Sequence, residues 1–113
     1  IKSKRKQLHQ EMIAQNQMAN VRKAKVLVTN PTHFAVALDY EKDRTPLPVI
    51  LAKGQGVLAQ RMIRVAEEEG IPIMRNVPLA RSLYEQGTEQ SYIPQELIGP
   101  GAEVLRWVQS LQR

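Results

Sequence analysis

Cysteine is absent from the 113 residues, which removes disulfides, thiolate metal sites and cysteine nucleophiles and agrees with a reducing compartment. Aromatics are scarce, with one Trp, one Phe and three Tyr, so a core has to be built from aliphatic side chains. No apolar run approaches the roughly 18 to 20 residues needed to cross a bilayer. Neither a start methionine nor a signal-peptide pattern precedes the first charges, and the sequence reads as an internal piece of something longer. The two histidines, His9 and His33, are far apart, and no His, Asp or Glu cluster has metal-ligand spacing. No metal and no cofactor is therefore predicted. A hydrolase acting on other molecules would need a nucleophile, a base and an orienting group, and the sequence offers no such set.

What is present is the composition of one soluble domain, 42% hydrophobic and 24% charged, long enough for a single core. The net charge of +5 is unevenly placed. Residues 1–25 hold seven of the sixteen Lys and Arg and one acid, a net +6, whereas the remaining 88 residues carry nine bases and ten acids, a net −1. The chain thus divides into a basic leader, residues 1–24, and a nearly neutral domain, residues 25–113. Lys2, Lys4, Arg5 and Lys6 suit a segment held near anionic lipid, and they suit a solvated linker equally well. A small nucleic-acid-binding domain is the alternative that a sequence pI near 9.8 suggests. Its weakness is that the charge lies in the leader and the few aromatics are not interleaved with it.

Residues 3–20 lack Pro and Gly, but Leu8, Met12, Ile13 and Ala19 make only a weak helical stripe, which predicts a solvated, partly helical linker. Val26 to Thr29 is a β-prone run, and in Phe34 to Tyr40 large residues alternate with small or polar ones at period two. Pro48 to Ala52 reads as a third strand broken by Lys53-Gly54, and Ile71 to Met74 as a short strand near an edge. Between these last two, Val57, Leu58, Met62, Val65 and Ala66 repeat at helical spacing before Gly70. Pro78 to Gly87 predicts another helix. The final helical region begins near Ile93 and is strongest from Ala102 to Leu111, with Gly99-Pro100-Gly101 expected to break or kink it. The order predicts an α/β domain: a small mixed four-stranded sheet surrounded by about four helices, preceded by the basic linker. Gly54-Gln55-Gly56 beside Lys53 lacks the rest of a phosphate-loop pattern and reads as a turn.

The informative tetrapeptide is Asn30-Pro31-Thr32-His33, between two predicted strands. Asparagine suits the first position of a type I turn and proline presets φ at the second, so a turn alone accounts for these residues. If the pair reacts, only one direction is open. The usual attack on an asparagine side chain by the next backbone nitrogen is closed, because Pro31 has no N–H. The Asn30 side-chain nitrogen would instead attack its own backbone carbonyl, close a succinimide and expel the Pro31 nitrogen. An amide nitrogen is a poor nucleophile, so the reaction needs its atoms held near ~3 to 3.5 Å and aligned. His33 is the only titratable side chain next to this bond and is the candidate base, with a purely structural, hydrogen-bonded role as the plain alternative. Thr32 could orient the turn.

The same tetrapeptide after an aliphatic strand resembles the hallmark of the FlhB/YscU family of type III secretion export-switch proteins. The likeness continues through Pro46-Leu-Pro48, Ala66-Glu-Glu-Glu-Gly-Ile-Pro72, Pro78-Leu-Ala-Arg-Ser-Leu-Tyr84, Ile93-Pro94 and Ala102-Glu-Val-Leu-Arg-Trp107. The leader Ile1-Lys-Ser-Lys-Arg-Lys6 with His9-Gln-Glu11 resembles the linker after that family's membrane helices. The tail and linker are more like the injectisome, YscU-like branch, although Ala52-Lys53-Gly54-Gln55 looks flagellar. The resemblance implies a preceding membrane domain, a place at the cytoplasmic face of the bacterial inner membrane, and a single spontaneous cut between Asn30 and Pro31, with Asn30, Pro31, Thr32 and His33 as the site. It also implies two pieces that stay associated, and a part in switching the substrate specificity of export rather than turnover of a substrate. Implied partners are other export-apparatus components, secreted substrates or their chaperones and a needle-length regulator, with no nucleic acid among them.

Overall fold

The computed structural model describes the backbone of residues 2–112 and the side chains of residues 11–112. The basic cluster Lys2, Lys4, Arg5 and Lys6, together with Leu8 and His9, lies outside the described side chains. The elements are helix α1 (Lys2–Arg22), strands β1 (Val26–Asn30), β2 (Phe34–Asp39) and β3 (Val49–Gln55), helix α2 (Val57–Glu69), strand β4 (Ile73–Arg75), helix α3 (Val77–Gln86), strand β5 (Ser91–Tyr92), a single 3-10 turn (Gln95–Leu97) and helix α4 (Ile98–Ser110). The sheet runs β4-β1-β2-β3-β5, with β1 parallel to β4 and the other pairs antiparallel.

Alternation along β1 and β2 sends side chains to two cores, one on each face of the sheet. Val26, Val28, Val36 and Leu38 meet Leu79, Leu83, Val104 and Val108 from α3 and α4. Leu27, Ala35, Ala37 and Ala52 meet Met18, Val21, Ala59, Met62 and Ala66 from α1 and α2. The alanines on this second face let both helices lie close to the sheet. β1 is paired on both sides and buried on both faces, which is why it reads as an unbroken aliphatic run rather than an alternating one.

Four sequence expectations are corrected. The sheet has five strands, not four: β5 is two exposed residues with no hydrophobic pattern, held to β3 by the Val49/Tyr92 and Ile50/Ser91 pairs. β3 does not stop at Lys53-Gly54 but runs to Gln55. Gly54 is there because α2 crosses over it, and a Cβ would stand 2.7 Å from the Met62 sulfur. Gly99-Pro100-Gly101 neither breaks nor kinks the last helix. It occupies the first turn of α4, where the backbone N–H that Pro100 lacks has no helical partner to lose. Lastly, the stretch expected to be a solvated linker ends as a core element, since Ala14, Gln17, Met18 and Val21 are all buried. Their spacing is helical, but alanine and glutamine conceal the stripe. The Gln17 amide donates to the Lys53 carbonyl at 3.0 Å and to Glu89 Oε1 at 3.0 Å.

Candidate functional site at the β1–β2 turn

The ladder between β1 and β2 closes on the pair Asn30/Phe34, leaving Pro31, Thr32 and His33 to make the reversal. The His33 backbone N–H donates to the Asn30 carbonyl oxygen at 2.9 Å. Neither Pro31 nor Thr32 has positive φ and no peptide among the described residues is cis, so the turn belongs to the type I class that an Asn-Pro start favours. The carbonyl that accepts this hydrogen bond is the one on the N-terminal side of the Asn30–Pro31 peptide bond.

The side chains form a short chain of their own. Thr32 Oγ1 lies 3.4 Å from Asn30 Oδ1 and 2.7 Å from His33 Nδ1. Thr32 and His33 are exposed, while Asn30 and Pro31 are half-buried. All four residues that the sequence reading singled out thus share one turn, and His33 reaches Asn30 through the threonine hydroxyl rather than directly.

Residues far away in sequence hold the turn in place, and no local motif marks them. From the start of α2, the Gly56 N–H donates to the His33 carbonyl at 3.0 Å and the Gln60 side-chain amide donates to the Pro31 carbonyl. On the β1 side, the Asn76 N–H donates to the Thr29 carbonyl at 3.0 Å, and the Asn76 side chain caps α3 by accepting from Leu79 N–H at 3.2 Å. A cavity of about 340 Å³ opens beside the turn, lined by Asn30, His33, Phe34, Val77, Arg81 and Glu85. Phe34 stacks on Tyr84 with ring centroids 4.7 Å apart, so this aromatic pair is spent on packing rather than offered to a planar ligand.

Lys53 faces away from the Gly54-Gln55-Gly56 segment. Its ammonium donates to the Tyr84 and Gly87 carbonyls, each at 2.9 Å, and sits 4.9 Å from the Tyr84 ring centroid, so it neutralises the C-terminal end of α3. Among the described residues no group of three or more His, Asp or Glu side chains could hold a metal ion, and no helix is long and apolar enough to cross a membrane.

This α/β architecture is shared with a set of solved C-terminal and cytoplasmic domains. The cytoplasmic domain of FlhB from Shewanella putrefaciens matches with a TM-score of 0.82 at 36% identity, over 88% of this chain and 76% of that one. The PscU C-terminal domain matches with a TM-score of 0.66 at 49% identity, over 69% of this chain and 99% of that one. The profile described as the FlhB HrpN YscU SpaS Family matches residues 1–108, and the chain belongs to that family. Yop proteins translocation protein U of Yersinia pestis is 46% identical over 109 residues, covering 96% of this chain and 31% of that protein. Flagellar biosynthetic protein FlhB of Yersinia enterocolitica is 42% identical over 113 residues, covering 100% of this chain and 30% of that protein. The chain therefore spans about a third of the length of these curated relatives.

Proposed function

We propose that this domain cuts its own backbone once, between Asn30 and Pro31, and that the cut domain helps switch the substrate specificity of a type III export apparatus. The observation that carries the chemistry is the hydrogen bond from the His33 N–H to the Asn30 carbonyl oxygen. When Asn30 Nδ2 attacks its own carbonyl carbon, negative charge builds on that oxygen, and a main-chain donor already aimed at it stabilises the tetrahedral state. Collapse of that state breaks the bond to the Pro31 nitrogen, which takes up a proton and leaves as a secondary amine. Asn30 is left as a C-terminal succinimide for water to open.

The nucleophile must also lose a proton. With the Asn30 amide turned by half a rotation, Nδ2–H donates to Thr32 Oγ1 and the hydroxyl donates to His33 Nδ1, a relay along contacts the turn already contains. The two sides of the bond have separate anchors: Asn30 rides on β1, and the Pro31 and His33 carbonyls are tied to α2. Such anchoring restricts the turn to few geometries, which is where most of the acceleration has to come from.

As part of a longer protein the domain sits at the cytoplasmic face of the bacterial inner membrane, with residues 1–24 as a basic juxtamembrane segment whose second half packs into the core of the export-switch domain, residues 25–113. Its partners are then other components of the apparatus, export substrates or their chaperones and a needle-length regulator, with the leader near anionic lipid. Its lasting role is binding rather than turnover, on the injectisome side of the family, and family membership is what supports this part of the reading. Mass spectrometry of the purified protein tests the chemistry. Fragments ending at Asn30 and beginning at Pro31 are expected, and a chain still intact after long incubation excludes it.

A further inference from the structure

The cut would do more than open a loop, because it exposes a new N-terminus whose first residues are Pro31, Thr32 and His33, in that order. A free amine followed by two main-chain amides and a histidine at the third position places four nitrogens where they close fused five- and six-membered chelate rings in one plane. Square-planar nitrogen sets select Cu(II) and Ni(II), with Cu(II) favoured by the general affinity order of divalent metals. Resting on the cleavage reading, we propose that the cut domain carries a Cu(II) or Ni(II) site. Its ligands are the Pro31 amine, the main-chain nitrogens of Thr32 and His33, and His33 Nδ1.

Four observations suit the chain to this role. Proline is tolerable at the first position because its ring nitrogen becomes a secondary amine with a free lone pair; at the second or third it would remove an amide the chelate needs. His33 Nδ1, the ring nitrogen that completes the rings, turns back along the tripeptide, 2.7 Å from Thr32 Oγ1. The contacts from α2 take the Pro31 and His33 carbonyl oxygens and leave the nitrogens untouched. Thr32 and His33 are exposed, and the β1–β2 ladder begins at Asn30/Phe34, so the tripeptide can close around a metal without disturbing the sheet. The His33 N–H must release the Asn30 carbonyl, a bond that no longer closes a covalent turn once the chain is cut.

In the intact chain the site does not exist, since the Pro31 nitrogen is then a tertiary amide without a lone pair to give. Binding displaces a proton from the Pro31 ammonium and one from each of the Thr32 and His33 amides, so affinity rises with pH.

The test adds CuCl₂, and separately NiCl₂, to cut protein whose fragment masses have been verified. One equivalent of metal should produce the visible ligand-field band of a four-nitrogen square-planar complex, with nitrogen splitting in the Cu(II) electron paramagnetic resonance spectrum. The uncut Asn30→Ala chain, which keeps Pro31, Thr32 and His33, should lose the band entirely. Cut protein acylated at the Pro31 amine should lose it too, whereas His9→Ala should retain it. Verified cut protein without the band, or an uncut chain that shows it, overturns the proposal and leaves the cleavage reading standing. Failure of that reading would show earlier, as a missing fragment.

Discussion

In the proposed cut Asn30 would supply both the attacking nitrogen and the attacked carbonyl, so replacing it should remove the reaction, whereas Thr32 and His33 would only assist it. Asn30→Ala is expected to give no fragments at any incubation time, by mass spectrometry. His33→Ala should still cut, slower by about 10²-fold, the lower end of what a positioned base contributes. Thr32→Val keeps the shape and removes the hydroxyl, and should slow cutting to a similar degree, while Thr32→Ser stays near the parent rate. If the two side chains act along one path, as proposed, combining Thr32→Val with His33→Ala should cost little more than either alone, which a double-mutant cycle on cleavage rates measures. These four residues are legible in the sequence because they are contiguous and each has a local chemical reason to be there. Gln60, Gly56 and Asn76 are not legible, since an amide or a backbone N–H arriving from another element leaves no mark near the turn.

Among the elements, those with a strong period or a run of β-branched residues could be read directly, namely β1, β2, α2 and α3. Those that depend on a neighbour could not. β5 exists only because Gln90, at φ 61°, turns the chain so that its backbone N–H reaches the Ile50 carbonyl at 2.7 Å. The buried half of α1 depends on a face built by β3 and α2, and Gly54 reads as a strand breaker until α2 is seen lying on it. Glycines separate on the same ground. At Gly87, just past α3, a Cβ would meet the Leu83 carbonyl oxygen at 2.5 Å and press on Ile50, and backbone cannot step aside. Gly87→Ala should therefore destabilise by about 1–3 kcal/mol. Gly99 in the first turn of α4 has no atom beyond its chain neighbours within 4 Å of where a Cβ would go, but it precedes Pro100, whose ring crowds a Cβ held in helical backbone, so Gly99→Ala should bring no gain and destabilise by less than Gly87→Ala. Urea denaturation of the uncut Asn30→Ala background measures both, free of any effect of cutting.

At the scale of the molecule, a cut after Asn30 would divide the chain in an unusual place. The smaller piece would hold α1 and β1, and β1 is an interior strand paired with β2 and β4, with Val26, Leu27 and Val28 fully buried. Polar contacts cross the division as well: Gln17 to Lys53 and Glu89, Arg22 to Glu69 at 3.6 Å, and Glu11 to Arg61 at 3.8 Å. The two ion pairs are exposed and contribute little, so the hydrophobic faces of β1 and α1 and the two β ladders do most of the holding. The pieces should co-elute on a sizing column, because separating them means opening both cores. Unfolding then changes its molecularity. The uncut Asn30→Ala chain unfolds as one molecule, with a Tm independent of concentration, whereas cut protein unfolds into two, and its Tm must fall on dilution. A tenfold dilution is worth about 1.4 kcal/mol, or roughly 5 °C for a domain of this size. Calorimetry over a hundredfold concentration range reads the difference, and a cut protein whose Tm does not move would mean that its pieces separate before the cores open.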